Sequence, residues 1–319
     1  MSDRSDYLEF ARREARGVSA AYERLATTVA GDDGLLALIG GLPAAKRQPN
    51  LLFGVVRLLG GPLDDAGFRE FVLERWDEIA AQMRVRATQT NEIGRCAALL
   101  PVLAALPQPL ALIDVGASAG LNLFPDRYTY DYGGRNVGDS GPVVACAATG
   151  LPVPRRLPEV VWRAGVDLNP LDVTDPDHVA WLDALIWPEH EHRRERLRAA
   201  IAIAQTDPPR LVRGDALEAV AKLAARAPEG ATPVVFHTSV VYQMPDPGAF
   251  TRMMRTLPVH WISVESPALV PLPGMPAPPS DDYYNVLALD GRPLAWVTGH
   301  GQRVDWFGPL PSGDALEPR

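Results

Sequence analysis

A short apolar run closed by an acid and a glycine-spaced turn constrains this chain more than any other feature. Leu110-Ala111-Leu112-Ile113-Asp114-Val115 is followed by Gly116-Ala117-Ser118-Ala119-Gly120 and then by an apolar helix start. The run has strand length, and glycines permit the positive backbone angles of a tight turn. Strand, turn and helix in succession predict the opening unit of a parallel α/β sheet. Everything upstream reads differently. Leu52, Val55, Val56 and Leu59 recur on one helical face. Phe68, Phe71, Val72, Trp76, Ile79 and Met83 make one longer stripe. Ile93, Cys96, Ala97 and Leu100 make another, which Pro101 is expected to kink or end. The expected division is a helical region over residues 1–108 and an α/β domain over 109–319.

Further strands are expected at Val160 to Asp167, Arg210 to Gly214, Pro233 to Thr238 and His260 to Glu265, most of them separated by helical patterns. The end of the chain changes character. Asn285 to Leu289, Leu294 to Thr298 and Arg303 to Phe307 are joined by Asp290-Gly291 and His300-Gly301, the signature of antiparallel hairpins. Residues 125–158 form an insertion in which Tyr128, Tyr130 and Tyr132 alternate, as in a hairpin with one aromatic face. Six prolines lie between Ser266 and Ser280, a length of loop that often covers a site.

Composition narrows the function classes. There are 31 basic and 39 acidic residues and no concentrated basic run, so nucleic acid is not an expected partner. Two cysteines without a CxxC spacing exclude a disulfide scaffold and a cysteine-rich zinc site, and suit a reducing compartment. The start of the chain lacks the apolar core of a signal peptide, and no apolar stretch reaches the ~18 residues of a membrane span. The expectation is a cytoplasmic protein with a small-molecule substrate and no membrane partner. No metal site is expected. His190 and His192 are two residues apart among Glu189, Glu191 and Glu195, which reads as a solvated charged stretch.

In an open parallel sheet the ligand sits beyond the carboxyl ends of the strands, where their order reverses. The successive tips are Asp114 to Gly120, Gly165-Val166-Asp167-Leu168-Asn169-Pro170, Arg213-Gly214-Asp215-Ala216 and Phe236-His237-Thr238-Ser239. These tips, in this order, resemble the Rossmann-like S-adenosylmethionine-dependent methyltransferases over residues 108 to 310. The resemblance implies S-adenosylmethionine as cofactor. Asp114, Gly116, Ala117, Ser118 and Gly120 would approach its methionine part. Asp167 with Leu168 would hold the ribose, and Asp215 with Ala216 would sit by the adenine. The first turn has fewer glycines than is usual, and Asp167 lies 47 residues past Gly120, against ~20 in related nucleotide folds. The insertion accounts for the excess. No Asn-Pro-Pro-Tyr stands at the fourth strand, which argues against amide- and base-modifying amino methyltransferases. Lys46 to Asn50, Thr88 to Arg95 and Gly165 to Asp172 are similar to a bacterial family, domain-of-unknown-function family 2332, which implies no activity.

Simpler readings stand beside these. Asp167 can cap its own turn, and Asp215 can cap the helix that starts at Ala216. His237 can be a hydrogen-bonded core residue. As site residues, His237 and Glu92 are the candidates for a general base, and Gln89, Asn91 and Arg95 for substrate contact. Gly116-x-Ser118-x-Gly120 also fits a nucleophile elbow. That alternative is a serine hydrolase, with Asp290 and His300, or a carboxylate ahead of His237, completing the triad. A third is a non-catalytic binding protein on the same fold.

Overall fold

The computed structural model describes residues 3–280 and 284–310. The chain forms two compact units, one of Met1–Thr90 with Thr174–Glu195 and one of Asn91–Val173 with Arg196–Arg319.

The first unit is helical among its described residues. Its helices are Asp3–Phe10, Ala20–Gly31, Asp33–Gly40, Pro49–Leu58, Asp65–Glu74, Trp76–Val85 and Pro176–Leu185. Side-chain caps start several of them. Ser19 accepts from Tyr22 N, Asp32 from Gly34 and Leu35 N, and Asp64 from Gly67 N, each satisfying amides that the first turn leaves open. The apolar stripe from Phe68 to Met83 is carried by two helices, not one. Arg75 breaks them at φ −113°, ψ 22°, yet Phe68, Val72, Ile79 and Met83 remain on buried faces. Periodicity reports the face and is blind to such a break. Two stretches that stood out in the sequence meet in this unit. Thr88 Oγ1 donates to Gln48 Oε1, while Lys46 Nζ and Trp181 Nε1 donate to the carbonyls of Arg86 and Ala87.

The second unit carries twelve strands among its described residues: β1 (Leu110–Val115), β2 (Thr129–Asp131), β3 (Asn136–Val137), β4 (Val143–Ala145), β5 (Ala147–Thr149), β6 (Val160–Asp167), β7 (Arg210–Arg213), β8 (Thr232–Thr238), β9 (His260–Glu265), β10 (Tyr284–Leu289), β11 (Arg292–Thr298) and β12 (Arg303–Trp306). The main sheet has the order β5-β12-β11-β10-β9-β8-β1-β6-β7. The block β7-β6-β1-β8-β9 is parallel throughout, and β9-β10-β11-β12 is antiparallel. Taken in chain order, the parallel block runs third, second, first, fourth, fifth. That is the doubly wound order, and its reversal falls between β1 and β8. The final strands pair as antiparallel hairpins, with Asp290 and Gly291 at φ 51° and 78° in the tight turn.

Three local expectations are corrected. No α-helix follows Gly120. A single 3-10 turn, Leu121–Leu123, leads to Pro125, which cannot continue a hydrogen-bonded ladder. The crossover to β6 therefore runs through the insertion. That insertion is more than a hairpin: β2 pairs antiparallel with β3 and parallel with β4, and β5 extends the main sheet beside β12. Finally, Pro101 does not end its helix. It lies inside Cys96–Ala105. The missing amide would have served the Ala97 carbonyl, and Tyr132 Oη donates to that carbonyl at 2.7 Å instead. Tyr130 and Tyr132 stack with centroids 6.3 Å apart, and both are buried.

Candidate functional site

The turn after β1 lies at the reversal of strand order, and its backbone donors are fully engaged. Gly116 and Ala117 N donate to Val166 O at 2.8 and 3.2 Å, and Gly120 N donates to Ala117 O at 2.6 Å. Ser118 N donates to Asp167 Oδ2 at 2.8 Å, and Ala119 N donates to Asn91 Oδ1 at 3.0 Å. Asn91 also donates from Nδ2 to Ser118 Oγ at 2.6 Å. Gly116, Ser118 and Gly120 have φ of 76°, 50° and 73°, so the serine pays the steric cost that the glycines avoid. Beneath the turn, a Cβ on Gly165 would stand 2.5 Å from that of Ala117, so this strand residue must be small.

The tips of β6 and β7 lie beside it. Asp167 serves two backbone segments at once: Oδ1 accepts from Asn169 N at 2.7 Å while Oδ2 holds Ser118 N. The turn-capping reading of Asp167 is thus present, together with a brace on the first turn. An ionised carboxylate has about four acceptor positions, and these bonds use one on each oxygen. Arg213 Nη1 fastens the following residues through Leu168 O and Asn169 Oδ1. Leu168 is 62% exposed, and Leu217 is exposed on the neighbouring helix. Asp215 caps that helix, Ala216–Ala224, by accepting from Leu217 N at 2.7 Å. Ala216 packs against the sheet's core.

Asp114 and Arg95 face the same region in an unusual state. Asp114 is buried on β1, and no donor among the described residues bonds its carboxylate. Burial pushes its carboxyl well above the usual range, Arg95 pulls it down and Asp167 adds to the rise. Arg95 Nη1 donates to Thr238 O at 2.8 Å and Thr238 Oγ1 at 3.0 Å, while its Nε is buried with no partner. Burial lowers its pKa, and the charges of Asp114, Glu92 and Glu265 oppose that. The segment before Arg95 is set by a backbone approach: a Cβ on Gly301 would stand 2.2 Å from Gly94 O.

The candidate bases are committed elsewhere. Glu92 is buried, and its Oε1 accepts from Gly94 N, from Arg196 Nε at 3.1 Å and from Arg196 Nη2 at 2.7 Å. His237 is 0% exposed. Its Nδ1 lies 2.7 Å from Glu265 Oε1, and its Nε2 lies 2.9 Å from Trp261 Nε1. With both nitrogens engaged, this geometry matches the core-histidine reading. Gln89 belongs to the first unit, Met1–Thr90, and not to this one.

The nucleophile-elbow geometry is incomplete. The helix that should follow Ser118 is absent, and Ser118 Oγ receives the Asn91 amide. Asp290 engages His260 Nδ1 and Trp261 N. Glu265, Thr238 and Trp261 were missed as participants. A place at the end of a strand was the available signal for Glu265 and for Thr238; nothing local marked Trp261. Among the described residues there is no cluster of three metal-ligating side chains, and no helix long and apolar enough to cross a membrane.

A family model described as an uncharacterized protein conserved in bacteria, DUF2332, matches residues 63–306. No curated protein and no solved structure matches the chain.

Proposed function

The chain belongs to the DUF2332 family, and we propose that it is an S-adenosylmethionine-dependent methyltransferase acting on a small molecule. The observation that carries this reading is the contrast between the saturated turn and two buried groups beside it that no described residue hydrogen-bonds, the Asp114 carboxyl and the Arg95 Nε. A phosphate-bearing cofactor needs free backbone donors, commonly at a helix N-terminus. Here all five amides of Gly116 to Gly120 are used within the protein. A 3-10 turn of three residues follows. S-adenosylmethionine carries no phosphate. Its amino-acid end carries an ammonium and a carboxylate, which suit the Asp114 carboxyl, bonded by no described donor, and the buried, unpartnered Nε of Arg95. The remaining acceptor positions of Asp167 suit ribose hydroxyls, and exposed Leu168 with Asp215 suit the adenine.

When bound, the cofactor supplies an electrophilic methyl group, and the protein's part is to position the two reactants. Asn91 and Asp167 hold the turn in one conformation, and Arg95 is held on Thr238. Titration calorimetry with S-adenosylhomocysteine tests the reading, with ATP and NAD as controls. Micromolar binding of the first and none of the nucleotides is expected. Tighter binding of either nucleotide, or no binding of S-adenosylhomocysteine, overturns it. The engagement of both Glu92 and His237 favours, as a second reading, a binding protein on the same fold. Binding without consumption of S-adenosylmethionine across a broad acceptor panel selects that reading.

A further inference from the structure

The exit of β8 is held from three directions. Arg95 fixes the carbonyl and hydroxyl of Thr238. Asn285, on β10, donates from Nδ2 to Ser239 Oγ at 3.0 Å. Glu265, which closes β9, accepts at Oε1 from Val240 N at 2.9 Å and from Val241 N at 3.3 Å. Ser239 is held at φ 53°, a region that residues other than glycine seldom occupy and that persists where the surroundings over-determine it. The next residue, Val240, walls the first turn: its Cγ2 lies 2.5 Å from where a Cβ on Gly116 would stand. The two sides of the strand-order reversal therefore meet at Gly116 and Val240.

Glu265 is itself fixed from behind. An indole N–H can only donate, so Trp261 makes His237 Nε2 the acceptor and leaves the His237 proton on Nδ1. That proton is donated to Glu265 Oε1 at 2.7 Å. One carboxylate oxygen, on a residue 2% exposed, thus takes three donors, two of them the backbone of the β8 exit.

We infer that Glu265 is a positioning residue, which sets the β8 exit so that Val240 and the Thr238 anchor of Arg95 present one fixed wall to the cleft. The role of that wall in cofactor binding rests on the methyltransferase reading. The hold on the backbone does not. The role depends on reach and acceptor geometry. Aspartate is one methylene shorter, about 1.5 Å, which takes the oxygen out of range of Val240 N. Glutamine keeps both the reach and an acceptor oxygen.

Glu265→Asp and Glu265→Gln are compared with wild type by hydrogen exchange of the 239–243 segment and by calorimetry with S-adenosylhomocysteine, with thermal unfolding to confirm that both variants fold. Glu265→Asp is expected to speed exchange at least tenfold in the segment and to weaken binding about tenfold, while Glu265→Gln stays within about threefold on both. Unchanged exchange in Glu265→Asp overturns the proposed hold. Faster exchange with unchanged affinity overturns the positioning role. If Glu265→Gln fails as badly as Glu265→Asp, charge and not reach is what matters, and the proposal falls. If wild type does not bind S-adenosylhomocysteine, the methyltransferase reading fails and with it the cofactor role of the wall; exchange alone then decides the hold.

Discussion

Tyr132 donates its phenol proton to the carbonyl of Ala97 at 2.7 Å, the carbonyl whose helical donor is missing because residue 101 is proline. The insertion is thereby tied to the helix that leads into β1. Removing the hydroxyl in Tyr132→Phe leaves a buried acceptor unpaired, which costs about 1–3 kcal/mol. Pro101→Ala supplies the missing amide, so Tyr132→Phe should cost far less in that background. Urea unfolding of the four proteins measures the coupling. Additive losses would mean that Tyr132 stabilises through packing alone.

The turn after β1 should depend on Asn91. Asn91→Ala removes the acceptor of Ala119 N and the donor to Ser118 Oγ. With Ser118 held at positive φ, the turn loses part of what keeps it there. Stability is expected to fall by ~1–3 kcal/mol, and affinity for S-adenosylhomocysteine should fall with it. Thermal unfolding and calorimetry read the two effects.

Asp114 should oppose stability in return for binding. Burial raises its folded pKa above the unfolded value, so between the two values the native state holds the extra proton. Its contribution to stability therefore declines as pH rises from about 4 towards the folded value. Asp114→Asn removes that loss. The variant is expected to melt higher than wild type at pH 7–8, with the gain vanishing near pH 4, and to bind S-adenosylhomocysteine more weakly. A gain of equal size at both pH values would assign the effect to packing.

Asp167→Asn is expected to weaken S-adenosylhomocysteine binding about ten- to a hundredfold, at ~1.4 kcal/mol per tenfold. Stability should fall as well. The carboxylate accepts from both Ser118 N and Asn169 N, and an amide can keep only one of them while turning a donor towards the other. The loss of affinity should exceed that of Asn91→Ala, which loosens the same turn from the other side. Equal losses would leave Asp167 as a brace and remove its ribose role.

The strands of the parallel block, the hairpins at the end of the chain and the acids at the strand tips were legible because they are local. Leu110 to Val115 is an apolar run of strand length, and Asp290-Gly291 is a turn in its own two residues. The sequence alone therefore determined a helical region, an α/β sheet with antiparallel final strands, and the position of Asp167 and Asp215 at successive tips. It could not show whether a polar group is occupied, because partners are distant in the chain. Glu92 meets Arg196, Ser118 meets Asn91 and Asp167, and His237 meets Trp261 and Glu265. Pro101 inside its helix has the same cause: the replacement for its lost hydrogen bond comes from Tyr132, 35 residues away in sequence. Residue type states what a side chain can donate or accept. Only the tertiary structure decided that Glu92 and His237 have their needs met internally, while Asp114 and the Nε of Arg95 do not.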